Sequence, residues 1–126
     1  MTLDDVPFAK LLGIEVESME PGHAVLSMQI RDDLKRNGGI AHGGAVATLI
    51  DSAMAFAIIP TLAENEHSIT VDLTIHYLRP LSEGSARASA RVVRAGKRVI
   101  TVSAELFDSQ EKLAATAIST YLRLSE

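Results

Sequence analysis

The spacing of apolar and polar residues changes several times along the chain, and each change marks an element. Residues 5–12 (DVPFAKLL) read as a short helix ended by Gly13. A period of two then begins. Ile14 and Val16 alternate with Glu15 and Glu17, and Ala24, Leu26, Met28 and Ile30 form the apolar set of a second strand. Pro21 and Gly22 supply the turn between them, and DDLKRNGG follows as a charged, glycine-paired loop. From Gly43 to about Ala63 the chain is apolar almost all round, with Thr48, Asp51 and Ser52 the main exceptions before Pro60, which predicts an enclosed helix. After AENEH, residues 68–78 place Ile69, Val71, Leu73, Ile75 and Tyr77 on one face of a strand and Ser68, Thr70, Asp72, Thr74 and His76 on the other. Three more strands are read in SARASARVV, RVITVSAELFD and KLAATAISTYLRL, separated by the turns RAGK and DSQE. The small residues Ala86, Ala88 and Ala90 are placed to pack closely beneath the helix.

The order is therefore helix, two strands, long apolar helix, four strands. Short turns between consecutive strands imply an antiparallel sheet, and a helix apolar nearly all round needs that sheet curved about it. The expectation is one α+β domain over residues 1–126: a curved antiparallel sheet of about five to six strands wrapped around one long central helix, the hot-dog arrangement. One sheet cannot cover every side of the helix, and the long third strand leaves an edge that invites pairing. Dimerisation through a continuous sheet is the expected remedy, with a tetramer of two dimers beyond it.

Composition narrows the functional classes. With 126 residues, 47% of them hydrophobic, the chain has enough apolar side chains for one core. A net charge of −4 and a pI near 5.5 argue against a nucleic-acid surface. The absence of cysteine removes disulfides, thiolate metal sites and a cysteine nucleophile, and suits a reducing compartment. The start MTLDDVPFAK lacks the basic and apolar regions of a signal peptide, so a cytoplasmic location is expected. No membrane span is expected, because Asp51 and Pro60 interrupt the best apolar run. His23, His67 and His76 have no metal-ligand spacing with one another or with His42, so no metal is expected. No G-x-S-x-G elbow points to a serine nucleophile.

Asp51 stands alone in an apolar helix. A carboxylate there needs hydrogen bonds or a partner, since uncompensated burial costs several kcal/mol, roughly 2 to 7 for a polar group and more for a charge. It lies either on a polar stripe with Thr48 and Ser52 facing a partner, or in a site as general base or nucleophile. The turn GGIAHGG ends where the helix begins, so the N–H of Gly43 has no intrahelical acceptor and Gly43 and Gly44 let a ligand approach the backbone. Eight residues separate Gly43 from Asp51, about 12 Å along a helix. One carbonyl cannot meet both. Antiparallel helices of two subunits would bring Gly43 of one toward Asp51 of the other.

With HGGAVATLID, TVDLTIHYLRP and RAGKRV in this order, the chain resembles the hot-dog acyl-CoA thioesterases of the phenylacetate-degradation (PaaI-like) type over nearly its whole length. The resemblance implies that the Gly43 N–H polarises a thioester carbonyl, that Asp51 of the partner activates water or attacks directly, and that Thr70 orients the water. It gives His42 a part either in polarising the carbonyl or in fixing the turn. Asn37 matches the asparagine these enzymes place before HGG, although Arg36 stands at the family's usual separation. Gly44 and the segment Tyr77, Leu78, Arg79 and Pro80 would line the pantetheine path. The turn Arg94, Ala95, Gly96, Lys97 and Arg98 would meet the nucleotide end of coenzyme A. Phe8, Met54 and Phe56 would line an acyl pocket or serve as core.

The activity implied is hydrolysis of an aromatic or short- to medium-chain acyl-CoA to free acid and CoA, with no metal or redox cofactor. The alternatives are a non-catalytic acyl-CoA-binding protein and a hydratase acting on acyl-CoA or acyl-carrier protein. The fold alone does not choose among these.

Overall fold

The computed structural model describes residues 2–126. In chain order it contains α1 (Pro7–Leu11), β1 (Glu15–Glu20), β2 (His23–Gln29), α2 (Gly43–Ile58), β3 (Glu66–Tyr77), β4 (Ser85–Ala95), β5 (Val99–Phe107) and β6 (Leu113–Ser125), with short 3₁₀ turns at Leu3–Asp5, Asp32–Leu34 and Ile59–Thr61. Element order and type agree with the periodicity of the sequence. The six strands form one antiparallel sheet in the order β1-β2-β4-β5-β6-β3. Crossing from β2 to β3 at the far edge takes the chain over the sheet, and α2 is that crossover. This is the hot-dog arrangement.

Small side chains let the sheet close on the helix. Ala24, Ala90, Ala104 and Ala117 are successive partners across β2, β4, β5 and β6, and all four are buried. The neighbouring row runs Leu26, Ala88, Leu106, Ala115. Against these rows α2 buries Val46, Leu49, Ile50, Ala53, Met54, Phe56, Ala57 and Ile58. Its other side is lined by small or polar residues, Ala47, Thr48, Asp51, Ser52 and Ala55, each only partly buried. The expected shortfall of one sheet around one apolar helix is thus visible as this flank.

One expectation about β3 is corrected. Strict alternation put Ile69 and Val71 on the face of Leu73, Ile75 and Tyr77, but the ladder with β6 slips by one residue: Thr70 pairs with Tyr121 and Asp72 with Thr120, leaving Val71 as the extra residue of a bulge. Before the bulge, Thr70 therefore faces α2 while Ile69 and Val71 face outward, about half exposed. After it, Leu73 and Ile75 pair with the buried Ser119 and Ala117 and face the core. The bulge is held locally, as the Thr120 N–H donates to Asp72 Oδ1 at 2.9 Å and the Ser119 hydroxyl donates to the Asp72 carbonyl.

A second correction concerns the apolar run at residues 43–61. Gly43–Thr61 spans 19 helical residues of mean hydropathy 1.5, long and apolar enough to cross a membrane by length and composition. Asp51 and Pro60 do not bring it below that threshold. In the fold it is the helix that the sheet encloses.

Candidate active site

Asp51 sits where α2 passes over the β3–β6 rung of Thr70 and Tyr121. Two hydroxyls converge on one of its oxygens: Tyr121 donates to Oδ1 at 2.6 Å and Thr70 donates to the same atom at 3.1 Å. The Tyr121 hydroxyl also lies 3.1 Å from the Asp51 carbonyl oxygen. Tyr121 is buried, at 1% exposure, and burial together with the nearby Asp51 charge pushes its phenol well above the ordinary tyrosine range. The phenol therefore stays protonated and donating. Asp51 opens into a cavity of about 510 Å³ whose apolar wall includes Val6, Ala9, Phe56, Ile59 and Leu62, with Ser52, Glu64, Glu66, His67 and Ser68 on its polar side. The Ala63 N–H, and Arg123 at 3.1 Å, hold the Glu66 carboxyl below the usual range. Of the three expected pocket residues, Phe56 lines this cavity, Met54 is fully buried core, and Phe8 is exposed near His42.

The other end of α2 builds a different surface. His42 is the N-cap, with extended backbone, and its Nδ1 accepts from the Gly44 N–H at 2.8 Å. That bond occupies Nδ1 and uses the Gly44 N–H, so Gly44 offers a ligand no donor. Glycine suits position 44 because a Cβ there would meet the His42 ring at 3.0 Å. The Gly43 N–H, at the first helical position, has no acceptor among the described residues. Tyr77 donates to the Gly43 carbonyl at 2.9 Å. Gly43, Tyr77, Leu78, Arg79 and Pro80 line a second cavity of about 360 Å³ together with Arg36, Val46 and Leu106.

Asn37 is not brought into this cavity. The Arg36 N–H to Ile40 carbonyl bond at 2.8 Å closes a tight loop, with Gly38 and Gly39 at φ of 91° and 76°, and leaves Asn37 exposed at its tip. Arg36 lines the cavity instead. The turn at Arg94, Ala95, Gly96, Lys97 and Arg98 keeps its cations exposed, but the Gly96 N–H is tied to the Val99 carbonyl at 2.8 Å and is not free for phosphate. Arg123 joins this turn to the start of β3 through the Gly96 carbonyl and Glu66. The turn thus lies at the Asp51-cavity end of the molecule, away from Gly43.

On the outer face of the sheet His23 Nε2 lies 3.2 Å from Ser89 Oγ and its Nδ1 3.8 Å from Glu20, the order of a serine triad. Ser89 is mid-strand, paired with Val25 and Glu105 on either side. Ladder pairing occupies the backbone donors that an oxyanion hole would need.

Sequence reasoning passed over Tyr121 and gave Arg36 no role of its own. A signal for Tyr121 existed. It shares the inward parity of Ala115, Ala117 and Ser119, and an inward tyrosine must find a partner for its hydroxyl.

The chain is similar to known proteins over most of its length. Residues 38–115 match the family model of the thioesterase superfamily. A candidate esterase of Saccharolobus solfataricus is 35% identical over 111 residues, covering 88% of this chain and 73% of that protein. The medium/long-chain acyl-CoA thioesterase YigI of Escherichia coli is 29% identical over 132 residues, covering 93% of this chain and 85% of its own length. The solved structure of the Escherichia coli PaaI protein, from the phenylacetic acid degradation operon, superposes with a TM-score of 0.88 at 28% identity, covering 97% of this chain and 87% of PaaI.

Proposed function

From the premise that the chain belongs to the thioesterase superfamily, we propose that it hydrolyses an aromatic or short- to medium-chain acyl-CoA to free acid and CoA, at a site completed by a second copy of itself. The observation that carries this reading is that Gly43 and Asp51 line separate cavities on the flank of α2 beside the unpaired edge of β3. Antiparallel pairing of β3 with its twofold mate sets the Tyr77 end of one strand beside the Glu66 end of the other. The Gly43 cavity of one subunit then adjoins the partner's Asp51 cavity. The small residues of the open α2 flank permit a close approach.

In this arrangement the thioester carbonyl oxygen accepts from the Gly43 N–H at the positive end of the helix. Asp51 across the interface takes a proton from water, and the water oxygen adds to the carbonyl carbon. Collapse of the oxyanion breaks the carbon–sulfur bond, releasing the acid and the CoA thiolate, which is then protonated. No metal or redox cofactor enters these steps. Pantetheine lies along Tyr77, Leu78, Arg79 and Pro80 with Arg36 beside it, and the partner's turn Arg94 to Arg98 meets the nucleotide phosphates with its side chains. The acyl group enters the apolar wall at Phe56 and Ile59. The two Escherichia coli proteins carry names tied to medium/long-chain esters and to phenylacetic acid degradation, which supports an apolar acyl group. The outward Ile69, Val71 and Ile118 are the surface we assign to a dimer of dimers. A cytoplasmic setting suits an acyl-CoA substrate.

The test is free-thiol release from acetyl-, hexanoyl-, decanoyl-, phenylacetyl- and hydroxybenzoyl-CoA by wild type and Asp51→Asn side by side. Turnover that the near-isosteric variant lowers by roughly a hundredfold or more supports Asp51 as the base. Undiminished turnover in the variant removes it. Tight binding without thiol release from any ester would replace hydrolysis with an acyl-CoA-binding role.

A further inference from the structure

The hydrolytic mechanism uses Asp51 but leaves the Thr70 and Tyr121 hydroxyls that donate to it unassigned, and Tyr121 makes the shorter contact. We propose that Tyr121 is a positioning residue that, with Thr70, anchors Oδ1 of Asp51 so that Oδ2 is the oxygen that takes the proton from water. This rests on Asp51 being the base.

Both donors come from one rung of the sheet. Thr70 and Tyr121 are register partners of β3 and β6 immediately before the bulge at Val71, so their side chains rise together toward α2. They meet a single oxygen, at 3.1 and 2.6 Å. An aspartate on a helix has a rotatable carboxylate. Two donors from one rigid rung fix its plane, and none of the hydrogen bonds among the described residues goes to Oδ2. The bond from Tyr121 to the Asp51 carbonyl oxygen at 3.1 Å ties the same phenol to the helix backbone, so rotation of the carboxylate about its Cα–Cβ bond would break the shortest of these contacts.

Tyr121 is suited to this role and not to acid–base work. It is buried at 1% exposure among core residues, away from the open cavity, and burial keeps its phenol protonated. The titratable groups that face the Asp51 cavity are Glu64, Glu66 and His67 from the loop and β3, with Arg123 of β6 paired to Glu66. None of these donates to Asp51. Tyr121 and Thr70 are therefore the groups that set how the carboxylate is presented.

The experiment compares wild type, Asp51→Asn, Tyr121→Phe and Thr70→Val in steady-state thiol release against pH, with folding checked by circular dichroism. For Tyr121→Phe, kcat should fall roughly tenfold to a hundredfold, with KM changed little. Its acid limb should move up, because a hydrogen bond favouring the ionised carboxylate is lost. A packing role would lower thermal stability without moving the limb. Because Phe could weaken the core, a second measurement leaves the fold intact: biosynthetic 3-fluorotyrosine in a Tyr77→Phe background labels Tyr121 alone, as the chain has two tyrosines. Fluorine strengthens the phenol as a donor, so the acid limb should move down relative to the unlabelled Tyr77→Phe protein. An acid limb unmoved in both measurements overturns the proposal. If Asp51→Asn keeps full activity, the failure lies with Asp51 as base; if Asp51→Asn is inactive and Tyr121→Phe matches wild type in kcat and pH profile, it lies with Tyr121 alone.

Discussion

Gly43 and Asp51 stand on one helix yet line cavities that have no lining residue in common. Within one chain the free helical N–H and the carboxylate therefore act on different spaces. Mixing inactive subunits tests whether a second chain unites them. Gly43→Pro removes the N–H at the first helical position, where proline is tolerated. His42 at ψ 134° already has the extended backbone that a following proline favours. A Cβ at position 43 would make only ordinary contact with Tyr77, at 3.5 Å. Gly43→Pro and Asp51→Asn homodimers should both be nearly inactive. Equal mixing after unfolding and refolding should return about a quarter of wild-type turnover, because half the dimers are mixed and each of those holds one whole site. No recovery, with mixed dimers verified by mass spectrometry, would sink the shared site.

The cap at His42 separates the two roles open for that residue. Its Nδ1 holds the Gly44 N–H at 2.8 Å, and loss of an N-cap acceptor costs about 1 kcal/mol. His42→Ala should lower the melting temperature by that equivalent and reduce turnover as the helix start frays beside Gly43. His42→Asn supplies a new acceptor at the same position. It should restore both the melting temperature and most of the turnover. Recovered stability with turnover still lost would assign the imidazole to the chemistry itself.

How much of the fold and site is legible in the sequence depends on which physical signal each feature leaves there. Changes of period fixed the element order, because burying one face imposes spacings of 3.6 and 2 directly on residue type. Asp51 was legible because a carboxylate isolated in an apolar helix is costly to bury and so marks a polar contact. The facing of Ile69 and Val71 was not, since a bulge adds a residue without any compositional mark. Thr70 thereby reaches Asp51 from a face that simple alternation assigns to solvent. Tyr121 was hidden for the opposite reason: an aromatic at an inward position reads as core, and its hydroxyl partner lies 70 residues away. The spent N–H groups of Gly44 and Gly96 are set by a side-chain rotamer and a turn closure, neither of which local composition encodes.

The alanine row under α2 makes a packing prediction. Ala90 is fully buried between Ala24 and Ala104 on the neighbouring strands. Ala90→Leu has no space to fill and should destabilise the fold by about 1 to 3 kcal/mol or more through overpacking. Ala90→Ser, close in volume, should lose less, although its hydroxyl would need a partner. Urea denaturation checks both. A Leu variant as stable as wild type would mean that α2 can lift from the sheet without cost.

The hairpin joining β5 and β6 is where acid should act first. Arg87 meets Glu111 through two bonds of 2.6 Å and holds its carboxyl below the ordinary value of 4.5. Glu111 has a left-handed φ of 63°, a conformation costly for glutamate, which this bidentate pair helps to maintain. Asp108 accepts from the Lys112 and Gln110 N–H groups, each at 2.9 Å, and these hold it below its ordinary 3.8. Both folded-state values are depressed. Their stabilisation is therefore complete above the unfolded values and is lost as pH falls through the folded ones, the window beginning near pH 4.5 and extending downward. Glu111→Gln with Asp108→Asn should be less stable than wild type at pH 7, and its stability should depend less steeply on pH between about 5 and 3. Hydrogen exchange at residues 108–112 should rise in wild type within that window before β4 opens. Parallel stability–pH curves for the two proteins would place the acid sensitivity elsewhere in the fold.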